Sequence, residues 1–130
     1  MLMWTNYIKW RKENNVDDIL KTYECPKLAE LIEVYPHGYH KTCKLGRTIY
    51  IDRIGMTDLD TINTVLTNDE LVMHNIHSYE ELILHKMHAL SILQQKRLDQ
   101  CTNIMDLTGF GLSKMTKKTW ALVQLMSGVA

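Results

Sequence analysis

Thr48-Ile-Tyr-Ile-Asp52, entered from Gly46-Arg47, decides the reading of this chain. Its β-branched and aromatic residues favour a strand, and the glycine before it marks a turn. Alternation sets Thr48, Tyr50 and Asp52 on one face and Ile49 and Ile51 on the other. A second strand is expected far downstream, from Asn103 to Leu107 within Cys101-Thr-Asn-Ile-Met-Asp-Leu-Thr-Gly109. There Cys101, Asn103 and Met105 share a face. Strand, two helices, strand, helix is the opening of an α/β layer. Two strands seldom make a stable sheet by themselves, so the chain reads as a piece of a larger domain.

Upstream, the pattern predicts a short helix to about Lys12 with Trp4, Tyr7, Ile8 and Trp10 as its apolar side. A second helical piece runs from Val16 to Tyr23, with Asp17 and Asp18 at the positive end of the helix dipole. Pro26 suits the first residue of a third helix carrying Leu28, Leu31 and Ile32. Tyr35-Pro36 ends it, because the residue before proline resists the helical region. His37 to Gly46 reads as a loop. Downstream, Thr57 to Leu66 is a short helix. Thr67-Asn-Asp-Glu70 is a capping box, in which hydroxyl and carboxylate each satisfy a free amide. It opens a long helix to about Arg97. A last helix from Leu112 to Ser127 carries the stripe Leu112, Met115, Thr119, Leu122 and Met126.

The chain has 130 residues, 45% hydrophobic and 23% charged, with zero formal net charge. That fits one globular domain with a real core. It provides no global field for nucleic acid or an anionic membrane. Lys114, Lys117 and Lys118 form a basic run that reads as a solvated face. Three cysteines, Cys25, Cys43 and Cys101, argue for a reducing compartment over a disulfide framework. The opening residues lack the pattern of a signal peptide. No apolar run approaches the roughly 18 residues of a membrane span, so membrane contact is expected to be peripheral.

All six histidines fall in His-x-x-His pairs: His37/His40, His74/His77 and His85/His88. Counted at about 100° per residue, the last four project within one arc of the long helix. Leu71, Ile76, Tyr79, Leu82, Ile83, Leu90 and Leu93 take the opposite, core side. The histidines are therefore expected to face solvent, with a metal-binding or pH-responsive surface as the alternative. No closed zinc spacing is present. A Cys/His nucleophile is conceivable from Cys43 with His40, or from Cys101. No nucleophile elbow, P-loop or dinucleotide fingerprint accompanies it, so no enzyme is expected. The methionines, among them Met87, Met105, Met115 and Met126, read first as core packing and second as an adaptable lining for a lipid chain.

Two segments, Tyr35-Pro-His-Gly-Tyr-His-Lys-Thr42 running into Thr48–Asp52, and Cys101 to Gly109, resemble the CRAL-TRIO lipid-binding domain. The likeness is to its yeast-type phosphatidylinositol/phosphatidylcholine transfer branch. It extends from about Trp10 onward and covers the middle of that domain. The resemblance implies an α/β, helix-rich partial domain with two recognisable strands of a mostly parallel sheet. It divides the chain into a helical N-terminal segment, 1–34, and the first half of the lipid-binding domain, 35–130.

It also implies a pocket for one phospholipid, exchange between membranes without covalent chemistry, and no cofactor beyond the lipid. Tyr39 and Tyr50 match two tyrosines around a choline-phosphate headgroup. Two hydroxyl residues of the family fall at Cys101 and Asn103, and a further serine at Val129, which departs from the pattern and puts choline specificity in doubt. Met105 is expected to line the pocket. Trp10, Pro36, Asp106 and Gly109 are assigned to the fold. The expected setting is cytoplasmic, transiently at internal Golgi or endosomal membranes, with no nucleic-acid partner. Two alternatives stand beside this: an interaction module that closes the exposed half-pocket by dimerisation, and an inactive truncation product.

Overall fold

A computed structural model describes residues 2–58 and 60–127. Helix α1 (Leu2–Glu13) leads through a 3₁₀ turn (Val16–Asp18) into α2 (Ile19–Thr22) and α3 (Leu28–Val34). A hairpin follows, β1 (His37–Thr42) and β2 (Thr48–Asp52). The crossover contains α4 (Ile62–Val65), α5 (Asn68–Glu81), a π-helical turn (Leu82–Lys86) and α6 (Met87–Leu93). It returns as β3 (Thr102–Met105), and α7 (Lys117–Ser127) closes the described chain.

The sheet has three strands in the order β1-β2-β3. β1 pairs antiparallel to β2, and β3 pairs parallel to it. The expected pair of strands in a mostly parallel sheet is thus corrected to a mixed sheet of three. The added strand is the segment expected to be a loop. His37-Gly-Tyr-His-Lys-Thr42 is polar and holds a glycine, so propensity speaks weakly for a strand. Pairing across a tight turn overrides it. Gly46 donates to the Cys43 carbonyl at 2.8 Å, and Cys43 donates to that of Arg47 at 2.8 Å. Gly46 takes φ +81°, and a side chain there would collide with Gln94, whose amide donates to the Gly46 carbonyl at 3.0 Å. A β-irregularity lies between Tyr39 and Thr42, where Lys41 has φ +55°.

Two apolar clusters hold the helices. Leu31, Ile62, Leu66 and Leu71 form one, with Val34, Tyr35 and Val65 against it. Val16, Ile19 and Ile76 form the other, with Trp10 and Tyr23 alongside. Of the expected apolar side of the first helix, Trp10 turns inward, whereas Trp4, Tyr7 and Ile8 stay exposed. The helix is tied down by charge. Arg11 donates to both carboxylate oxygens of Glu80, at 2.7 and 3.1 Å, and also pairs with Asp17. This fork-to-fork geometry joins residues distant in sequence.

The capping box at Thr67 and Glu70 forms as expected. The long helix then departs from regularity at the π turn and ends at Leu93 rather than Arg97. Leu71, Ile76 and Leu82 are buried, whereas Tyr79, Ile83 and Leu93 of the expected core side are exposed. The last helix begins at Lys117, after a 3₁₀ turn at Leu112–Lys114, with the Thr119 amide donating to Thr116 Oγ1 at 3.2 Å. Leu112 and Met115 are consequently exposed and Thr119 buried. The side chains of Leu122 and Met126, and Val129 altogether, lie outside the described residues.

Beyond the ends of β2 and β3 the two segments clasp. The Asp106 amide donates to the Asp52 carbonyl at 2.8 Å, and the Gly55 amide to that of Asp106 at 3.0 Å. A Cβ on Gly55 would lie 2.0 Å from the Thr108 carbonyl oxygen. No heavy atom fits at that distance, so glycine is required there.

Candidate functional site

Strand register determines which side chains meet. Tyr39 stands opposite Tyr50, and Tyr50 opposite Asn103; His37 stands opposite Asp52, and Asp52 opposite Met105. Partners in register share a face. One sheet face therefore presents His37, Tyr39, Tyr50, Asp52, Asn103 and Met105, with Cys101 two residues before Asn103 on the same side. Alternation alone had aligned the members of β2 and of β3 separately. Pairing sets them side by side and adds β1.

Helix α5 covers the β1–β2 part of this face. Tyr39 and Tyr50 are half-buried, their ring centroids 5.0 Å apart and tilted by 60°. The Tyr39 hydroxyl donates to the Ser78 carbonyl at 3.2 Å and accepts from Ser78 Oγ at 3.4 Å. Burial pushes the Tyr39 phenol up to about 12. Burial, reinforced by Asp52, also raises Tyr50. Asp52 Oδ2 accepts from the Tyr35 hydroxyl at 3.2 Å, and Oδ1 is buried with no hydrogen-bond partner among the described residues. Its pKa is raised, chiefly by burial. Unpartnered buried oxygens carry a real desolvation cost.

Two histidines join this layer. His37 stacks on Tyr35 at 4.3 Å, and its Nδ1 lies 2.8 Å from the Tyr35 carbonyl. A carbonyl only accepts, so Nδ1 carries the proton and Nε2 is left to accept. His74 Nε2 lies 3.1 Å away and donates to it. Burial lowers both pKa values, that of His74 to about 4. His77 packs on Tyr23. His74 and His77 therefore do not lie with His85 and His88 on one solvated face; only the second pair is exposed. His74 and His77 are covered because this side of α5 packs on the hairpin and on Tyr23. The π turn Leu82–Lys86, which contains His85, alters the 100° step that would have aligned the second pair with them. Among the described residues no group of three or more His, Cys, Asp or Glu side chains is placed to hold a metal.

The β3 part of the face is different. Asn103 is exposed and Met105 is 62% exposed. Cys101 is half-buried, and its thiol donates to the Thr48 carbonyl at 3.4 Å. Burial raises its pKa. Two open clefts lie elsewhere, about 380 Å³ along Thr5, Ile8 and Lys12 and about 250 Å³ between Thr57, Lys114 and Thr119. Neither includes the tyrosines. No helix among the described residues is long and apolar enough to cross a membrane. Sequence reasoning missed Lys86, whose ammonium lies 5.2 Å from the Tyr39 ring centroid. It also missed His37, His74 and Ser78; only hairpin pairing under α5 could have revealed them.

The CRAL/TRIO domain family matches residues 32–129. The chain is 37% identical over 122 residues to phosphatidylinositol/phosphatidylcholine transfer protein SFH4 of Arabidopsis thaliana, covering 94% of this chain and 20% of that protein. It is 37% identical over 117 residues to the SFH11 protein of the same plant, covering 90% and 31%. Against the SEC14 cytosolic factor of Yarrowia lipolytica it is 30% identical over 115 residues, covering 88% and 23%. The chain thus spans less than a third of the length of each of these relatives.

Proposed function

The chain belongs to the CRAL/TRIO domain family, and on that premise we propose that it forms one wall of a phospholipid site used in intermembrane transfer. The observation that supports this best is the register that sets Tyr39, Tyr50 and Asn103 in a row on one sheet face. In this reading those three residues and Cys101 border the headgroup, and Met105 lies against the acyl chains. A phospholipid brings a large apolar area and one polar head that needs partners. The Asn103 amide can supply one, and the tyrosine rings an aromatic face, the Tyr39 hydroxyl being held by Ser78. No covalent step and no cofactor besides the lipid is involved. Residues 1–34 serve as a helical lead-in and 35–130 as the first half of the lipid-binding domain. The protein works in the cytoplasm, touching Golgi or endosomal membranes peripherally.

Native mass spectrometry with lipid extraction tests this. One phospholipid per monomer is expected. An empty chain, as dimer or aggregate, would overturn it. Ile104, Met105 and Leu107 are exposed at and just beyond β3, and this observation favours a second reading, self-association through that edge.

A further inference from the structure

The Tyr39 ring, tilted against Tyr50, already carries a cation on its face. Lys86 Nζ lies over the Tyr39 ring, 5.2 Å from its centroid, and the Tyr50 ring centroid stands 5.0 Å from that of Tyr39. Tilted aromatic pairs present electron-rich faces that attract ammonium groups. The backbone delivers Lys86 to this place. It is the last residue of the π turn and pairs with Glu81 at 2.5 Å. Residues five apart stand about 140° apart around a regular α-helix. The pair therefore depends on the π turn, where residues i and i+5 align. Glu81 neutralises much of the lysine charge at a distance. What remains is occupancy: the ring face is taken.

From this arrangement we propose that Lys86 sets headgroup selectivity, excluding quaternary-ammonium headgroups and favouring phospholipids whose headgroup adds no cation to the phosphate. The proposal rests on the phospholipid reading above. A quaternary ammonium has no hydrogen to donate and relies on an open aromatic face. Here it would have to draw Lys86 away from both Tyr39 and Glu81. A neutral, hydroxylated headgroup needs no aromatic face, and its phosphate gains a charge-assisted donor in Lys86. Two other donors are engaged within the protein, the Tyr39 hydroxyl with Ser78 and the Cys101 thiol with Thr48.

The test loads the full chain from vesicles holding equal parts of phosphatidylcholine and phosphatidylinositol, and counts bound lipid by native mass spectrometry. The wild-type chain is expected to take phosphatidylinositol in excess. Lys86→Met should move the ratio roughly tenfold toward phosphatidylcholine, and Lys86→Arg should not. The double variant Lys86→Met/Glu81→Gln should behave as Lys86→Met does. If it reverts to the wild-type ratio, a freed carboxylate caused the change and the proposal fails. An unchanged ratio in Lys86→Met, or a wild-type preference for phosphatidylcholine, overturns the selectivity role alone. Absence of either lipid overturns the transfer reading and this proposal together. Lipid-free NMR of the ¹³C-dimethylated chain provides a second readout. A ring-current-shifted lysine signal lost in Lys86→Met is expected, and an unshifted one refutes the resident cation.

Discussion

Tyr50 and Asn103 are neighbours in register on one face of one sheet, yet they sit in different surroundings. Tyr50 lies half-buried among Tyr39, His37 and Asp52, beneath α5; Asn103 is exposed, as is Met105 beside it. The strands align both sets equally well. What separates them is the helix laid over β1 and β2 but not over β3. Register makes a row of side chains, and coverage turns part of the row into a low-dielectric environment with shifted pKa values. The same substitution should therefore read differently at the two ends of the row.

The largest contrast is expected between Tyr50→Ala and Met105→Ala. Emptying the half-buried aromatic site should cost about 3 kcal/mol, whereas the exposed methionine should cost under about 0.5 kcal/mol. Urea denaturation midpoints measure both, and equal losses would dissolve the distinction. Acid should act next, on the covered side through its histidines. His37 and His74 have pKa values lowered by burial, so the unfolded chain binds more protons than the folded one below their ordinary value. Stability therefore falls as pH drops from about 6.5 toward about 4. Protonating His37 at Nε2 would also set two N–H groups against each other. Asp52, raised by burial, acts in the opposite sense near its own titration. A His37→Gln/His74→Gln chain should show a flatter pH profile between those limits, and one as steep as wild type would contradict the assignment.

Tyr39→Phe sharpens the comparison further, since it removes only the hydroxyl held by Ser78. A loss of about 1 kcal/mol is expected, seen as a lower thermal midpoint with the near-ultraviolet signature retained. The smallest effect belongs to Asn103→Ala. It should leave stability within about 0.5 kcal/mol of wild type while weakening phospholipid loading in the native mass spectrum. A change in stability without a change in loading would place Asn103 in the fold instead of the site.

Much of this was legible in the residues. The capping box at Thr67, the helix stop at Tyr35-Pro36 and the strand at Thr48–Asp52 follow from local chemistry, and the structure forms each of them. β1 was not legible, because a polar segment containing Gly38 becomes a strand only through its partner. The histidine layer was hidden for the same reason, since His74 meets His37 only once the hairpin lies under α5. Within the candidate site, alternation correctly grouped Tyr50 with Asp52 and Asn103 with Met105. Which group a helix would cover depends on packing between residues far apart in sequence, such as Tyr39 with Ser78 and Arg11 with Glu80.

The π turn also decides which changes of length the crossover helix can absorb. Such a turn is a helix with one residue too many, held as a bulge between two regular stretches. Deleting one residue within Leu82–Lys86 would let the segment close to a plain α-helix while α5 and α6 keep their facing. The same deletion inside α5, near Val72 or Met73, would swing the rest of the helix by about 100° and turn Ile76 out of its cluster. Two chains of equal length and nearly equal composition would then differ in whether they fold. A comparison of their circular dichroism melts would show it, and it marks Leu82–Lys86 as the place where this helix tolerates losing a residue.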